Sequence, residues 1–444
     1  MKNSAVAVIK TLVVAGHQAL LAGGCVRDSL LGREAKDYDV ATSARPEEVM
    51  KLFPGSMTVG AHFGVVIVRR DAHNIEVATF RKDGAYSDGR RPDAVTFTTA
   101  EEDAQRRDFT VNGLFLDPLK DEVLDFVGGR ADLDARVIRA IGDPHLRFAE
   151  DHLRLLRAIR FATVLGFEIE AGTWKAICEL APNIATVSAE RVRDELSKTL
   201  TDPGRLRGFD LLVSSGLMGV ILPEILALQG CEQPPQFHPE GDVFVHTRLM
   251  LSLLPEEASL PLVLSVLFHD IAKPATQTVD ETGRIRFNGH DKLGAEMTDA
   301  ILRRLKFPNH VIEPVVESVA CHMAFINVPK MRTATLKRFM ARPGFEDEMQ
   351  LHRVDCLGSH GGLDNFEFIR QKQHEFANEP LIPPRLLTGA DLIKLGWKSG
   401  PPLGNVLNAI QNLQLEGGLH SREEAIGWLQ KNAPVPNEFG AQEE

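Results

Sequence analysis

The chain contains no CxxC pair. Its five cysteines, at positions 25, 178, 231, 321 and 356, are scattered across 444 residues. Such spacing indicates neither a zinc knuckle nor a disulfide framework, and reduced thiols are expected. No run approaches the roughly 20 apolar residues that a membrane-spanning helix needs. The nearest thing to a signal-peptide core, AVAVIKTLVVAG, is broken by Lys10. No small-residue cleavage site follows it, so residues 4–15 are expected to form an amphipathic first helix. An excess of positive charge is also missing. Fifty Lys and Arg stand against 61 Asp and Glu, a net charge of −11. That balance argues against a nonspecific nucleic-acid binder but leaves room for a local basic surface. Hydrophobic content of 43% is ordinary for a globular protein. A chain this long is expected to divide into several domains.

The densest chemistry lies in GGCVRDSLLGREAKDYDVAT, residues 23–42. Gly23 and Gly24 precede a short helical run, around 26–31, that Gly32 ends. A glycine turn opening a helix offers backbone N–H groups to phosphate oxygens. Arg27 and Asp28 then fall in the first turn of that helix. Asp37 and Asp39 follow at i and i+2, a spacing that puts both carboxylates on one face of a strand. A lone Gly-Gly is usually a turn, and a lone D-x-D is usually a solvated strand edge. The two together, thirteen residues apart, point to metal-assisted nucleotidyl transfer.

Further along, 65–70 (VVIVRR) and 74–81 (NIEVATFR) read as a hairpin. Glu76 on its second strand is a candidate third acid for a two-metal site, or else a cross-strand partner for an arginine. Magnesium suits a ligand set made only of hard oxygens. In AEDHLRLLRAIRF (149–161) the apolar residues follow helical spacing, which makes Asp151 and Arg154 neighbours on one helix face. Side by side they offer acceptors and donors to a base edge. The plainer alternative is a surface ion pair of about 0.2–0.5 kcal/mol. A second constellation runs His246, His269-Asp270, His290, His322 and Asp355. Imidazoles with carboxylates suit Mn, Ni, Fe or Mg/Co-like ions, not a cysteine zinc site.

These motifs resemble the tRNA nucleotidyltransferase and poly(A) polymerase family, in its bacterial–eukaryotic class. The likeness also rests on residues 76–97, 101–115, 125–167 and 188–200. The His-Asp series is similar to an HD-type phosphohydrolase domain, and 381–432 resembles a C-terminal segment of bacterial members. The resemblance implies an α+β protein, with a head of mixed β-sheet and helices followed by an all-helical neck, HD-type body and tail. Its expected parts are a catalytic head at 1–142, a neck at 143–230, an HD-type domain at 238–365, an RNA-supporting segment of two amphipathic helices at 380–432, and a disordered tail at 433–444. It implies catalysis by Asp37 and Asp39, with Glu76 completing a magnesium site. Gly23, Gly24, Arg27, Asp28, Arg106, Arg107, Asp108 and Asn112 are then expected near the nucleotide. Asp151 and Arg154 would act as a protein template for cytosine and then adenine, with Arg157 and Arg160 on the basic rim. His152 stands where relatives often carry Pro. The loop at 81–93 is associated in the family with the switch from C to A addition.

The implied partners are tRNA, CTP and ATP, in the cytoplasm. The implied activity is addition or repair of the 3′-terminal CCA of tRNA. A poly(A) polymerase and a partial CC- or A-adding enzyme share the same head. A different class also fits: a phosphohydrolase of 2′,3′-cyclic or 2′-phosphates, working through a second metal in the HD-type site, with the head as an RNA-binding module.

Overall fold

The computed structural model describes residues 1–58, 64–84, 94–234, 236 and 238–433. Most of the loop expected at 81–93, and the tail from 434, lie outside the described residues. The chain divides into two compact units. One comprises Met1–Gln229 with Pro255–Leu260 and Ile301–Phe307; the other comprises Gly230–Leu254, Pro261–Ala300 and Pro308–Glu444.

The first unit opens with helix α1 (Lys2–Val14), whose buried Ala5, Val8, Ile9 and Leu12 repeat at helical spacing. Its sheet has seven strands: β1 (Ala19–Ala22), β2 (Asp39–Thr42), β3 (Met57–Thr58), β4 (Val65–Arg70), β5 (His73–Thr79), β6 (Leu114–Asp117) and β7 (Glu122–Asp125). Their order is β3-β4-β5-β2-β1-β6-β7. The β2–β5 pair is parallel, while its neighbours are antiparallel, so the sheet is mixed. All four residues of β1 are buried, as an unbroken apolar strand at the centre of a covered sheet should be. The β4–β5 hairpin turns through Asp71 and Ala72, both left-handed at φ 49° and 65°. That mirror-image turn matches the strand twist.

Helix α2 (Gly24–Leu30) leaves β1 through Gly23, and α3 (Ala100–Gln105) is capped by the Thr99 hydroxyl, which accepts from the Glu102 N–H. Then come α4 (Pro144–Glu150), α5 (Leu153–Leu165) and α6 (Ala189–Leu200), with α5 packed on α6. The expected continuous helix through 149–161 is corrected here. Asp151 is extended, at φ −151° and ψ 103°, between α4 and α5. Its Oδ1 accepts from the Leu153 N–H at 3.1 Å and so caps α5, which a residue inside a helix could not do. Asp151 and Arg154 therefore do not share a helix face. Asp37 departs from expectation in a similar way: it precedes β2, and only Asp39 lies on the strand.

The second unit is almost wholly helical. It includes α7 (Val243–Leu253), most of α8 (Leu260–Phe268) and of α9 (His290–Arg304), α10 (Asn309–Cys321), which continues as a 3₁₀ turn through Lys330, and α11 (Phe345–Gly358). By length and mean hydropathy (1.4) the stretch 309–330 could cross a membrane. Here its apolar residues Val311, Ile312, Val315, Val319 and Phe325 are buried within the fold. The C-terminal segment has three helices, not the two expected: Pro401–Leu415 and Arg422–Asn432 are preceded by Gly389–Lys394. That short helix exists because Thr388 and Asp391 form a reciprocal capping box. The three enclose a core that includes Leu392, Trp397, Leu407, Ile410 and Leu429.

Candidate active site

In the first unit, a cleft of about 390 Å³ brings together Gly23, Gly24, Asp39, Arg106, Arg107, Asp108, Asn112, Asp151, Arg154 and Arg157 from the expected set. Ala22 of β1 lies opposite both Asp39 of β2 and Phe115 of β6, so the glycine turn leaves the sheet beside Asp39. Gly23 has φ +74°, and a Cβ there would sit 3.0 Å from Arg107 Nη1. The residue type is dictated twice over, by conformation and by the arginine's approach.

The carboxylates gather through sheet register. Val40 pairs with Val77 in the parallel β2–β5 ladder, which sets Asp39 beside Glu76 one residue earlier on each strand. Partial desolvation, then repulsion from Glu76, raises the Asp39 carboxyl to about 6; Asp37 adds to this and Arg107 opposes it. Acids crowded into mutual repulsion are what a hard divalent cation relieves, so this donor set fits magnesium. Asp37 and Glu76 stand outside the cleft lining.

The cleft wall is built from a lattice of arginines and acids. Asp103, only 1% exposed, receives Arg106 Nη2 at 2.7 Å and Arg107 Nη2 at 3.0 Å. Arg107 also lies over the Phe115 ring at 4.8 Å. Arg27 donates to Asn112 Oδ1 at 2.7 Å and pairs with Asp28, so both serve the wall and not the cleft lining. Asn112 donates in turn to Asp108 Oδ1, whose other oxygen takes Arg157 at 2.6 Å. Burial works against the Asp108 charge, but Arg157 and Asn112 outweigh it and lower the carboxyl to about 2. Arg160 pairs with Glu195 and covers the Phe161 ring at 4.1 Å, also away from the cleft lining.

The two candidate base-reading groups are each held by a different partner. Asp151 receives Arg191 Nη2 at 2.7 Å and Nη1 at 3.2 Å. Arg154 pairs with Glu150 and donates to the carbonyls of Arg147, at 2.8 Å, and Arg106, at 3.3 Å. Sequence reasoning missed Asp103, Glu150 and Arg191. An acid followed at i+3 and i+4 by arginines, as in DAQRR, was a readable signal for Asp103. Arg191 lies 40 residues from its partner and carried no such signal.

The second unit holds the histidine series. His246, His269 and Asp270 place ligand atoms within 4.8 Å of one another, and so do Asp270, His290 and His322. Asp355 Oδ1 stands 3.1 Å from His246 Nε2. His269, His290 and His322 each set Nδ1 against the carbonyl oxygen three residues earlier, at 2.9, 2.7 and 2.6 Å. A carbonyl only accepts, so Nδ1 is the donor and Nε2 is the nitrogen turned toward the centre. His290 Nε2 and His322 Nε2 are 3.1 Å apart, with Asp270 Oδ1 at 3.4 and 3.9 Å. Burial pushes His322 down to about 4, and His269 and His290 add to the effect. Imidazole Nε2 atoms converging on a carboxylate suit a bound divalent cation. The centre forms part of the wall of a cavity of about 740 Å³.

Three family descriptions match the chain: "Poly A polymerase head domain" over residues 19–139, "Probable RNA and SrmB- binding site of polymerase A" over 166–228, and "HD domain" over 243–357. The CCA-adding enzyme of Geobacillus stearothermophilus is 32% identical over 432 residues, covering 96% of each chain. That of Bacillus velezensis is 32% identical over 430 residues, covering 96% of this chain and 97% of its own. Among solved structures, the Bacillus stearothermophilus CCA-adding enzyme in complex with CTP superposes with a TM-score of 0.74 at 28% identity, covering 97% and 96% of the two chains. The family implies use of a divalent metal. With the mixed-sheet head, the arginine-walled cleft and relatives aligned over nearly their full length, the chain belongs to the CCA-adding enzymes, a family of nucleotidyltransferases.

Proposed function

We propose that this protein adds or repairs the 3′-terminal CCA of tRNA from CTP and ATP, without a nucleic-acid template. One observation carries the reading: Asp39 and the pair Asp151 and Arg154 open onto one cleft. Asp37, Asp39 and Glu76 would hold magnesium, which supplies charge neutralisation for the attacking hydroxyl and the triphosphate. The RNA 3′-hydroxyl attacks the α-phosphorus, and pyrophosphate leaves. Arg107 faces the triphosphate, with Gly23 and Gly24 offering backbone N–H groups. Arg27, Asp28, Asn112, Asp108, Arg157 and Arg160 keep the wall rigid. Cytosine and adenine both present an exocyclic amine beside a bare ring nitrogen. A carboxylate acceptor and a guanidinium donor match that order; uracil and guanine invert it. Labelled CTP and ATP with tRNA lacking CCA give the test. A uniform three-nucleotide extension supports the reading, and a long A tail would replace it with a poly(A) polymerase. Asp37→Ala and Asp39→Ala should each abolish incorporation.

The facing Nε2 atoms of His290 and His322, with Asp270 beside them, favour an accessory reading. In it His246, His269, Asp270, His290, His322 and Asp355 hold a transition metal and hydrolyse phosphate esters. His269→Ala should remove metal-dependent phosphatase activity and leave nucleotide addition intact. Our division of the chain assigns the head to 1–142, the neck to 143–230, the HD-type body to 238–365 and an RNA-supporting segment to 380–432, in a protein acting in the cytoplasm.

A further inference from the structure

The histidine centre contains one asymmetry. Three of its four imidazoles are oriented by backbone carbonyls three residues upstream. His246 is not. The carbonyl that would serve it, on Val243, accepts instead from the Thr247 hydroxyl at 2.9 Å. The Nδ1 of His246 stands 2.7 Å from Oε1 of Glu240, a residue of the loop ahead of α7. The same oxygen lies 2.9 Å from His238 Nδ1. His246 is fully buried, and the Glu240 side chain is 9% exposed. The far nitrogen of His246 faces Asp355.

We propose that Glu240 is the positioning residue of this centre. Its carboxylate, an ion-pair partner at 2.7 Å from Nδ1, holds the His246 ring so that Nε2 is presented to a divalent transition metal beside Asp355, while His238 hydrogen-bonds the same carboxylate oxygen. The inference rests on the reading of the centre as a metal site. The chemistry favours a carboxylate here. It accepts more strongly than a carbonyl, and its negative charge makes the ring a better ligand. Glu240 does not itself line the 740 Å³ cavity, whereas His238 and Asp355 do, so it acts through the imidazole and not on a substrate.

The test uses the full chain, stripped of metal and titrated with Co²⁺, read by calorimetry and by visible absorption. Co²⁺ bound by the parent and lost in His269→Ala defines the centre. Glu240→Ala and the near-isosteric Glu240→Gln should each weaken that binding about 10- to 100-fold and alter the Co²⁺ spectrum, with Glu240→Asp recovering part of the loss. CTP incorporation by the head should be unchanged, which controls for folding. Parent-like affinity and spectrum in both the Ala and Gln variants would overturn the role of Glu240 while leaving the metal centre standing. A parent that binds no Co²⁺, or a His269→Ala variant that binds it equally well, would overturn the metal reading and this inference together. Loss of one whole ion per chain in Glu240→Ala would make Glu240 a ligand, and would also overturn the positioning role.

Discussion

Replacing Arg191 by methionine isolates the support of one proposed base-reading group from the group itself. Arg191 holds both oxygens of Asp151, at 2.7 and 3.2 Å, and the two side chains are 23% and 15% exposed. Hydrogen bonds to charged groups contribute about 1.5–3 kcal/mol each, and partial solvent access reduces that, so about 2 kcal/mol of orientation is lost for the pair. At 1.4 kcal/mol per tenfold, this corresponds to roughly 30-fold. The loss should fall on discrimination, because Asp151 remains present but is oriented only by the Leu153 N–H on Oδ1, leaving Oδ2 without its partner. Single-nucleotide incorporation into tRNA lacking CCA, measured separately with CTP and UTP, gives the two kcat/KM values. Their ratio should fall by about 30-fold, while kcat for CTP drops by less than about tenfold. Arg191→Lys should recover little, since an ammonium cannot match both oxygens as a planar fork does. An unchanged CTP/UTP ratio, in a variant that melts like the parent, would refute the reasoning.

Three further perturbations probe the wall of the cleft. Gly23→Ala should cost about 1–3 kcal/mol in backbone strain and push Arg107 out of place, so that melting temperature and kcat/KM both fall, the latter at least about tenfold. Asp108→Asn tests linkage. A carboxyl held at about 2, against an ordinary 3.8, contributes about 2 kcal/mol that is fully present above pH ~4 and disappears as pH falls through about 2. Urea unfolding of the head at stepped pH should show that loss in the parent and not in the variant. Phe109→Ala removes a fully buried ring that meets Phe161 edge-on at 5.7 Å and should cost about 3–5 kcal/mol in the same assay.

What could be read in advance was local. The β4–β5 hairpin is written in β-branched runs around a short turn: β4 forms over the expected 65–70, while β5 runs over His73–Thr79 and not 74–81, so the turn is two residues and not three. The glycine turn likewise opens a short helix, because Gly23 and Gly32 both need positive φ. Long-range placement was not written in the same way. Nothing near Glu76 announces a parallel pairing with β2, and nothing near Asp151 announces Arg191. The error at Asp151 had a local cause. Leu153, Leu156 and Ile159 do follow helical spacing, and extending the period upstream ignored that an aspartate two residues before a helix can cap it. In the second unit the histidine order was visible, but the loop carboxylate at Glu240 lay outside the motif that drew attention to it.

The interruption between α4 and α5 changes how two chemical groups are measured against one another. Had Asp151 and Arg154 shared a helix, their separation would follow from a rise of about 1.5 Å per residue and could hardly change. Here it depends on the backbone torsions of Asp151 and His152, with one jaw anchored through Arg191 to α6 and the other through Glu150 to α4. The gauge proposed to meet a pyrimidine and then a purine is thus a caliper, its opening set by rotation about a few single bonds rather than by the pitch of a rod.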